Sequence, residues 1–223
     1  MIGGGGGGFS LGRVLGFPLR LEFTALLVLG MLGLGSARGG PLALAGGLVY
    51  AAAVFGSILV HELGHALAAR RAGVGVAEIV LHGFGGFARF TRAPNPQQGV
   101  GITLAGPGAG LVLGGVAFAV TLALGIVDAP DAIVGLAAQV TTINVFWSLF
   151  NLIPMYPMDG GLVLYHLLAR RMPARHALAV AAKVGIGFAG LVIVGALVSG
   201  QTFLAIVAGL SAFQCFGALK GAR

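Results

Sequence analysis

Two histidines four residues apart bracket a glutamate in the stretch His61, Glu62, Leu63, Gly64, His65. On a helix that spacing places both imidazoles on one face, one turn apart, where they can share a single zinc ion. The glutamate in second position of such an HExxH arrangement is not a ligand; it takes the proton of the water that attacks a carbonyl. These residue types in this order call for metal-assisted hydrolysis. They lie inside a long apolar segment, where two imidazoles and a carboxylate cost several kcal/mol unless they face a cavity, a partner or a metal.

A catalytic zinc takes three protein ligands and keeps one position open, so a third ligand must come from elsewhere at the same depth. His65 lies five residues before Arg70, about 7–8 Å of helix rise from the basic end of its segment. Asp159 lies eleven residues before Arg170, at the corresponding end of another segment. Glu22 and Glu78 fall in interfacial stretches, and Asp128 and Asp131 at the opposite face, which leaves Asp159 as the acid placed to complete the set. Pro154 and Pro157 break the helix before it, freeing backbone and turning the carboxylate inward. A proline-terminated helix with an aspartate capping the next one is compatible with liganding. Upstream, Thr141, Asn144, Ser148 and Asn151 recur at helical spacing, a polar stripe that either packs helix on helix or lines a wet cavity. Asn151, beside the proline break, is the residue placed to donate to an oxyanion or hold a substrate backbone. Gly106, Gly110 and Gly114 form a small-residue ridge suited to close packing.

The elements that must position these groups follow from hydropathy. Of 223 residues 57% are hydrophobic and 9% charged, against about 25% charged in soluble domains. Six apolar blocks, near residues 22–37, 41–69, 98–126, 131–153, 177–198 and 200–218, approach the roughly 20 residues that cross a bilayer. The expected fold is an all-α polytopic membrane protein with about six transmembrane helices and a small interfacial β-sheet. The strands are expected at about 9–22 and 74–92, where β-branched and aromatic residues are broken by Pro18, Gly83, Gly85 and Gly86. Residues 1–8 read as a disordered glycine-rich tail and 9–223 as one membrane-embedded domain, its catalytic core about 41–172. A removable leader's order of charged, apolar and small-residue regions is not evident, so the first span is expected to stay attached.

The net charge of +7 does not point to nucleic acid. With the N-terminus inside, all 13 basic residues but Arg38 and Lys183 fall on the inner side, and Lys183 can snorkel there. Both termini are therefore expected in the cytoplasm, with the metal site near the cytoplasmic face of the plasma membrane. The lone Cys215 makes no internal disulfide. His82, His166 and His176 read as interfacial residues.

At this point the residues resemble a known family, the site-2 proteases (peptidase family M50), which are intramembrane zinc metalloproteases. HELGH at 61–65 is similar to its first motif, and Asn151, Pro154, Pro157, Asp159 and Gly160 to its second. The likeness extends to GFPLRLEFT before the first span, FGGFARF after the second and AGPGAG in the third, about residues 10–170. It implies that His61, His65 and Asp159 bind one Zn2+, that Glu62 is the general base and that Asn151 assists substrate or transition-state binding. Gly110 and Glu22 stand where the family often has asparagine and histidine. The chain shows no PDZ insertion or CBS pair, so it resembles a minimal form.

The expected activity is hydrolysis of a peptide bond in or near a transmembrane segment of a membrane-anchored protein. A helical substrate must unwind to expose its carbonyls, and the strand at 81–90 offers an edge to hold it. Gly85, Gly86 and Asn144 are the candidate substrate contacts. Partners are then the substrate, the lipid bilayer and a regulatory membrane protein. The rival reading is a non-proteolytic zinc-binding membrane protein, a metal carrier or an inactive scaffold. A carrier needs ligands along a path, which the outer half lacks apart from Asp128 and Asp131. An inactive scaffold would be expected to have lost Glu62.

Overall fold

Extended chain at both ends of a helix pair makes the sheet of this computed structural model, which describes residues 7–35, 39–83 and 85–221. Strands β1 (Gly8–Val14) and β2 (Phe17–Glu22) form an antiparallel hairpin. Its two-residue loop, Leu15 and Gly16, has φ of 51° and 87°, the double positive φ that matches the twist of paired strands. Helices α1 (Phe23–Gly35) and α2 (Pro41–Arg71) follow. Strands β3 (Val76–His82) and β4 (Gly85–Phe90) then complete the order β1-β2-β3-β4. β2 and β3 run parallel, with Leu19, Arg20 and Leu21 opposite Ile79, Val80 and Leu81. The chain can pair them so only because α1 and α2 return it to the same end. β3 and β4 pair antiparallel, and Arg89 meets Glu78 at 3.0 Å across them.

The remaining elements are α3 (Pro96–Ile126), α4 (Asp131–Asn151), α5 (Asp159–Ala169), α6 (Ala174–Val198) and α7 (Thr202–Gly221). Five helices, α2, α3, α4, α6 and α7, are long and apolar enough to cross a membrane. α1 is apolar but has 13 residues, about 20 Å of rise against a hydrocarbon core of about 30 Å. The chain is thus a multi-pass membrane protein, helical with a small four-stranded sheet. The expected spans correspond to α1 to α4, α6 and α7, the first of them too short to count with the rest. Residues 1–6 of the expected tail lie outside the described residues, as do Arg38 and Arg223; Gly8 already belongs to β1.

Helix ends are set locally. Asn95 and Gln98 exchange bonds, Gln98 N–H to Asn95 Oδ1 at 2.8 Å and Asn95 N–H to Gln98 Oε1 at 3.1 Å. That is a capping box with Pro96 in the first helical position. Beyond α2, Gly73 has φ of 70°, its N–H reaches Arg70 O, and Val74 N–H reaches Ala69 O, a Schellman stop. Gly200 (φ 72°) ends α6 the same way, through Leu197 O and Ala196 O, which separates two spans only a few residues apart.

The chain divides into two compact units, Met1–Ala93 with Gly108–Phe146, and Pro94–Pro107 with Trp147–Arg223. In the first, Phe17, Leu19, Ile79 and Leu81 of the sheet pack on Ala25, Phe55 and Ala66 of α1 and α2. In the second, Phe150, Met155 and Ala189 form the core.

Candidate metal centre

α2 delivers the HELGH residues: His61, Glu62 and His65 are buried although all three are polar. The Nε2 atoms of His61 and His65 are 3.1 Å apart, close to the edge of about 3.3 Å that bonds of 2.0–2.1 Å give a tetrahedral zinc. One turn N-terminal to His61, Ser57 Oγ donates to Ala53 O at 2.8 Å and accepts from Asn144 Nδ2 of α4, also at 2.8 Å. The same amide nitrogen donates to Val140 O at 2.8 Å. Asn144 is 2% exposed, so its amide ties α4 to the helix of the two histidines. Of the two roles open to the polar stripe, this residue takes helix-to-helix packing in the structure. Thr141 Oγ bonds back to Ala137 O within α4, and Ser148 is buried.

β4 packs on the same turn of α2. A Cβ placed on Gly86 would stand 2.8 Å from Glu62 Cγ, 3.1 Å from Ile58 Cγ2 and 3.2 Å from Leu81 Cδ2. The absent side chain at Gly86 is the room that Glu62 occupies. Gly85 beside it has φ of 139°, a region essentially restricted to glycine.

Asp159 is buried and opens α5, one residue past the N-cap Met158. It is therefore not the cap, and its carboxylate stands in the first turn, where the helix dipole favours negative charge. The preceding turn is interior. Met155 is fully buried, and Cys215 Sγ donates to Tyr156 O at 3.1 Å. A Cβ on Gly160 would overlap Leu152 O, and one on Gly161 would press on Tyr156 N and Met155 O. The two glycines after the aspartate let α5 start directly against the proline-broken turn. Asn151, the last residue of α4, is half-buried.

His61, His65 and Asp159 each present one ligand atom, and these atoms all lie within 4.8 Å of one another. Two imidazoles and one carboxylate form the donor set of a catalytic zinc site. Among the described residues this is the one such group of three.

The family model of peptidase family M50 matches residues 49–142, which contain HELGH and end before Asp159. Rip3 of Mycobacterium tuberculosis, named as a zinc metalloprotease, is 32% identical over 224 residues, covering 95% of this chain and 53% of its own length. A zinc metalloprotease of Methanocaldococcus jannaschii, MJ0392, is 29% identical over 213 residues, 95% of this chain and 59% of its own. The solved site-2 protease from Methanocaldococcus jannaschii superposes with a TM-score of 0.68 at 26% identity, covering 96% of this chain and 95% of that one. By these matches the chain is similar to peptidase family M50 and to its site-2 proteases over most of its length. It spans a little over half the length of these two curated relatives.

Around this centre, sequence reasoning missed why several neutral residues stand where they do. Gly86, Gly161 and Ser57 carry no chemistry of their own, and only the packing partner reveals their use. His166, expected as an interfacial residue, is 9% exposed, and its Nδ1 has no hydrogen-bond partner among the described residues. Its ring fills the space beside Gly99, where a Cβ would overlap it. Burial pushes its pKa down, and the nearby Arg170 guanidinium adds to that. Arg170 is held in turn by Pro96 O and Gln97 O at 3.4 and 3.3 Å. On β3, burial lowers His82 as well, partly offset by Glu22. His176 is exposed.

Proposed function

We propose that the chain is an intramembrane zinc metalloprotease that hydrolyses a peptide bond in or near a transmembrane segment of a membrane-anchored protein. The observation that carries this reading is the convergence of His61, His65 and Asp159, with ligand atoms within 4.8 Å of one another, on the helix turn that also bears Glu62. A bound Zn2+ supplies Lewis-acid polarisation of the scissile carbonyl and makes water acidic enough to attack near neutral pH. His61 and His65 present neutral imidazoles and Asp159 a carboxylate to hold it. Glu62 accepts the proton of the attacking water and returns it to the leaving amine. Asn151 donates to the oxyanion or to the substrate backbone, and Gly85 and Gly86 of β4, beside Glu62, border the path of the unwound chain. The names of the relatives support the zinc and protease parts of this assignment. The charge distribution supports cytoplasmic termini, a metal site near the cytoplasmic face and residence in the plasma membrane.

The test pairs wild type with Glu62→Gln. Both should purify with one zinc per chain, and membrane-anchored proteins should accumulate uncut only in cells carrying the variant. Equal processing by both proteins refutes the protease reading and leaves a zinc-binding carrier or scaffold.

A further inference from the structure

The β1–β2 hairpin carries side chains that the metal centre does not use. Phe9, Leu11 and Leu15 are 52%, 53% and 61% exposed. Phe9 stands opposite Leu21, so it shares the face on which Phe17 and Leu19 are buried against α1 and α2. Its ring meets that of Phe23 edge-on at 5.1 Å. The apolar face of the sheet therefore continues outward, beyond the residues that the helices cover.

The hairpin is also fixed in place. β2 passes without a linker from Glu22 into Phe23 of the apolar α1. Arg70, in the last turn of α2, donates to Leu15 O at 3.0 Å and lies 4.7 Å over the ring of Phe17. The loop is thus pinned to the basic end of a membrane-capable helix, where clustered positive charge marks the boundary between hydrocarbon and headgroups. Arg13, Arg70 and Arg71 are exposed there, and none has an acidic partner among the described residues. An apolar strip beside uncompensated guanidinium groups at that depth has the chemistry of an interfacial lipid anchor. Acyl chains accept the apolar side chains, and acidic headgroups accept the cations.

We propose that the β1–β2 hairpin docks on anionic lipid: Phe9, Leu11 and Leu15 enter the boundary between acyl chains and headgroups, while Arg13, Arg70 and Arg71 bind acidic headgroup phosphates. The partner is the bilayer in which the protein sits, selected by headgroup charge. Each surface arginine adds about fivefold to the local preference for an acidic lipid.

The test uses the full chain in nanodiscs of phosphatidylcholine with increasing phosphatidylglycerol. An environment-sensitive fluorophore is attached at Leu11→Cys in a Cys215→Ala background. Emission should shift to the blue, and quenching by acyl-labelled lipid should rise, as phosphatidylglycerol increases. Arg13→Gln with Arg71→Gln should raise the phosphatidylglycerol fraction needed several-fold, whereas lysine at both positions should keep the dependence. The proposal is overturned by equal emission in the zwitterionic and acidic discs, by a glutamine variant that titrates like its parent, or by lysine variants that lose the dependence.

Discussion

Replacing Gly86 by alanine tests whether β4 sets the position of the proposed general base. The added methyl would lie 2.8 Å from Glu62 Cγ, where carbon atoms prefer about 3.5–4.0 Å, so roughly 0.7–1.2 Å of movement is required. It cannot slide aside, because Ile58 Cγ2 and Leu81 Cδ2 stand at 3.1 and 3.2 Å. Either β4 lifts from α2 or the Glu62 side chain shifts. Overpacking of this kind costs about 1–3 kcal/mol of stability. A base displaced by about 1 Å loses on the order of 10²-fold in rate. None of the three atoms approached belongs to His61, His65 or Asp159, so zinc content should stay at one per chain. The assay is cleavage of a membrane-anchored reporter, followed as kcat/KM, together with zinc analysis and the unfolding half-life in detergent. A folded Gly86→Ala protein that holds one zinc and cleaves at the wild-type rate refutes the claim that this glycine makes room for Glu62.

Gly160→Ala drives a methyl into Leu152 O and should displace the start of α5, so that zinc affinity falls at least tenfold by metal-buffer titration while the helical circular dichroism remains. Asn144→Ala should cost about 0.5–1.5 kcal/mol by removing the bond into Ser57 Oγ, which keeps its donation to Ala53 O, read as a shorter half-life at elevated temperature. Ser57→Ala with Asn144→Ala should lose less than the sum of the single variants. His166 should make the fold acid-sensitive. Its folded pKa lies below the unfolded value of about 6.5, so the unfolded chain binds more protons below that pH. Stability is then present above pH about 6.5 and is lost as pH falls from there through the folded pKa. His166→Gln should flatten that acid limb in unfolding half-lives.

The candidate site residues were legible because their cost is. A histidine, glutamate or aspartate in an apolar chain must be accounted for, and depth along the helices pointed to Asp159 before any coordinates. Spans were legible for the same reason: exposed Leu, Val and Phe along α3, α6 and α7 are affordable only in lipid. The strands at both ends of the α1–α2 pair could be read from β-branched and aromatic residues punctuated by glycine. Their pairing could not, because the parallel register of β2 with β3 depends on where two intervening helices return the chain. Asn144 shows the limit on the polar side. Its spacing placed it on a stripe, yet spacing does not distinguish a wet wall from a helix tie, and only Ser57, 87 residues away, decides it.

Glycine was the least legible residue type, and the site depends on it most. With 41 glycines in the chain, no single one stands out by composition, and many adjoin open space. Those near the chemistry do not. Gly86 borders Glu62, while Gly160 and Gly161 let α5 begin against backbone carbonyls and amides of the turn before Asp159. These are contacts that any Cβ would prevent. A candidate zinc ligand set can be named from its side chains, but the close approaches around it are made by residues that have no side chain. Substituting Gly86 should therefore spare zinc and reduce turnover, and substituting Gly160 should reduce zinc first. One glycine supports the proposed base and the other a proposed ligand.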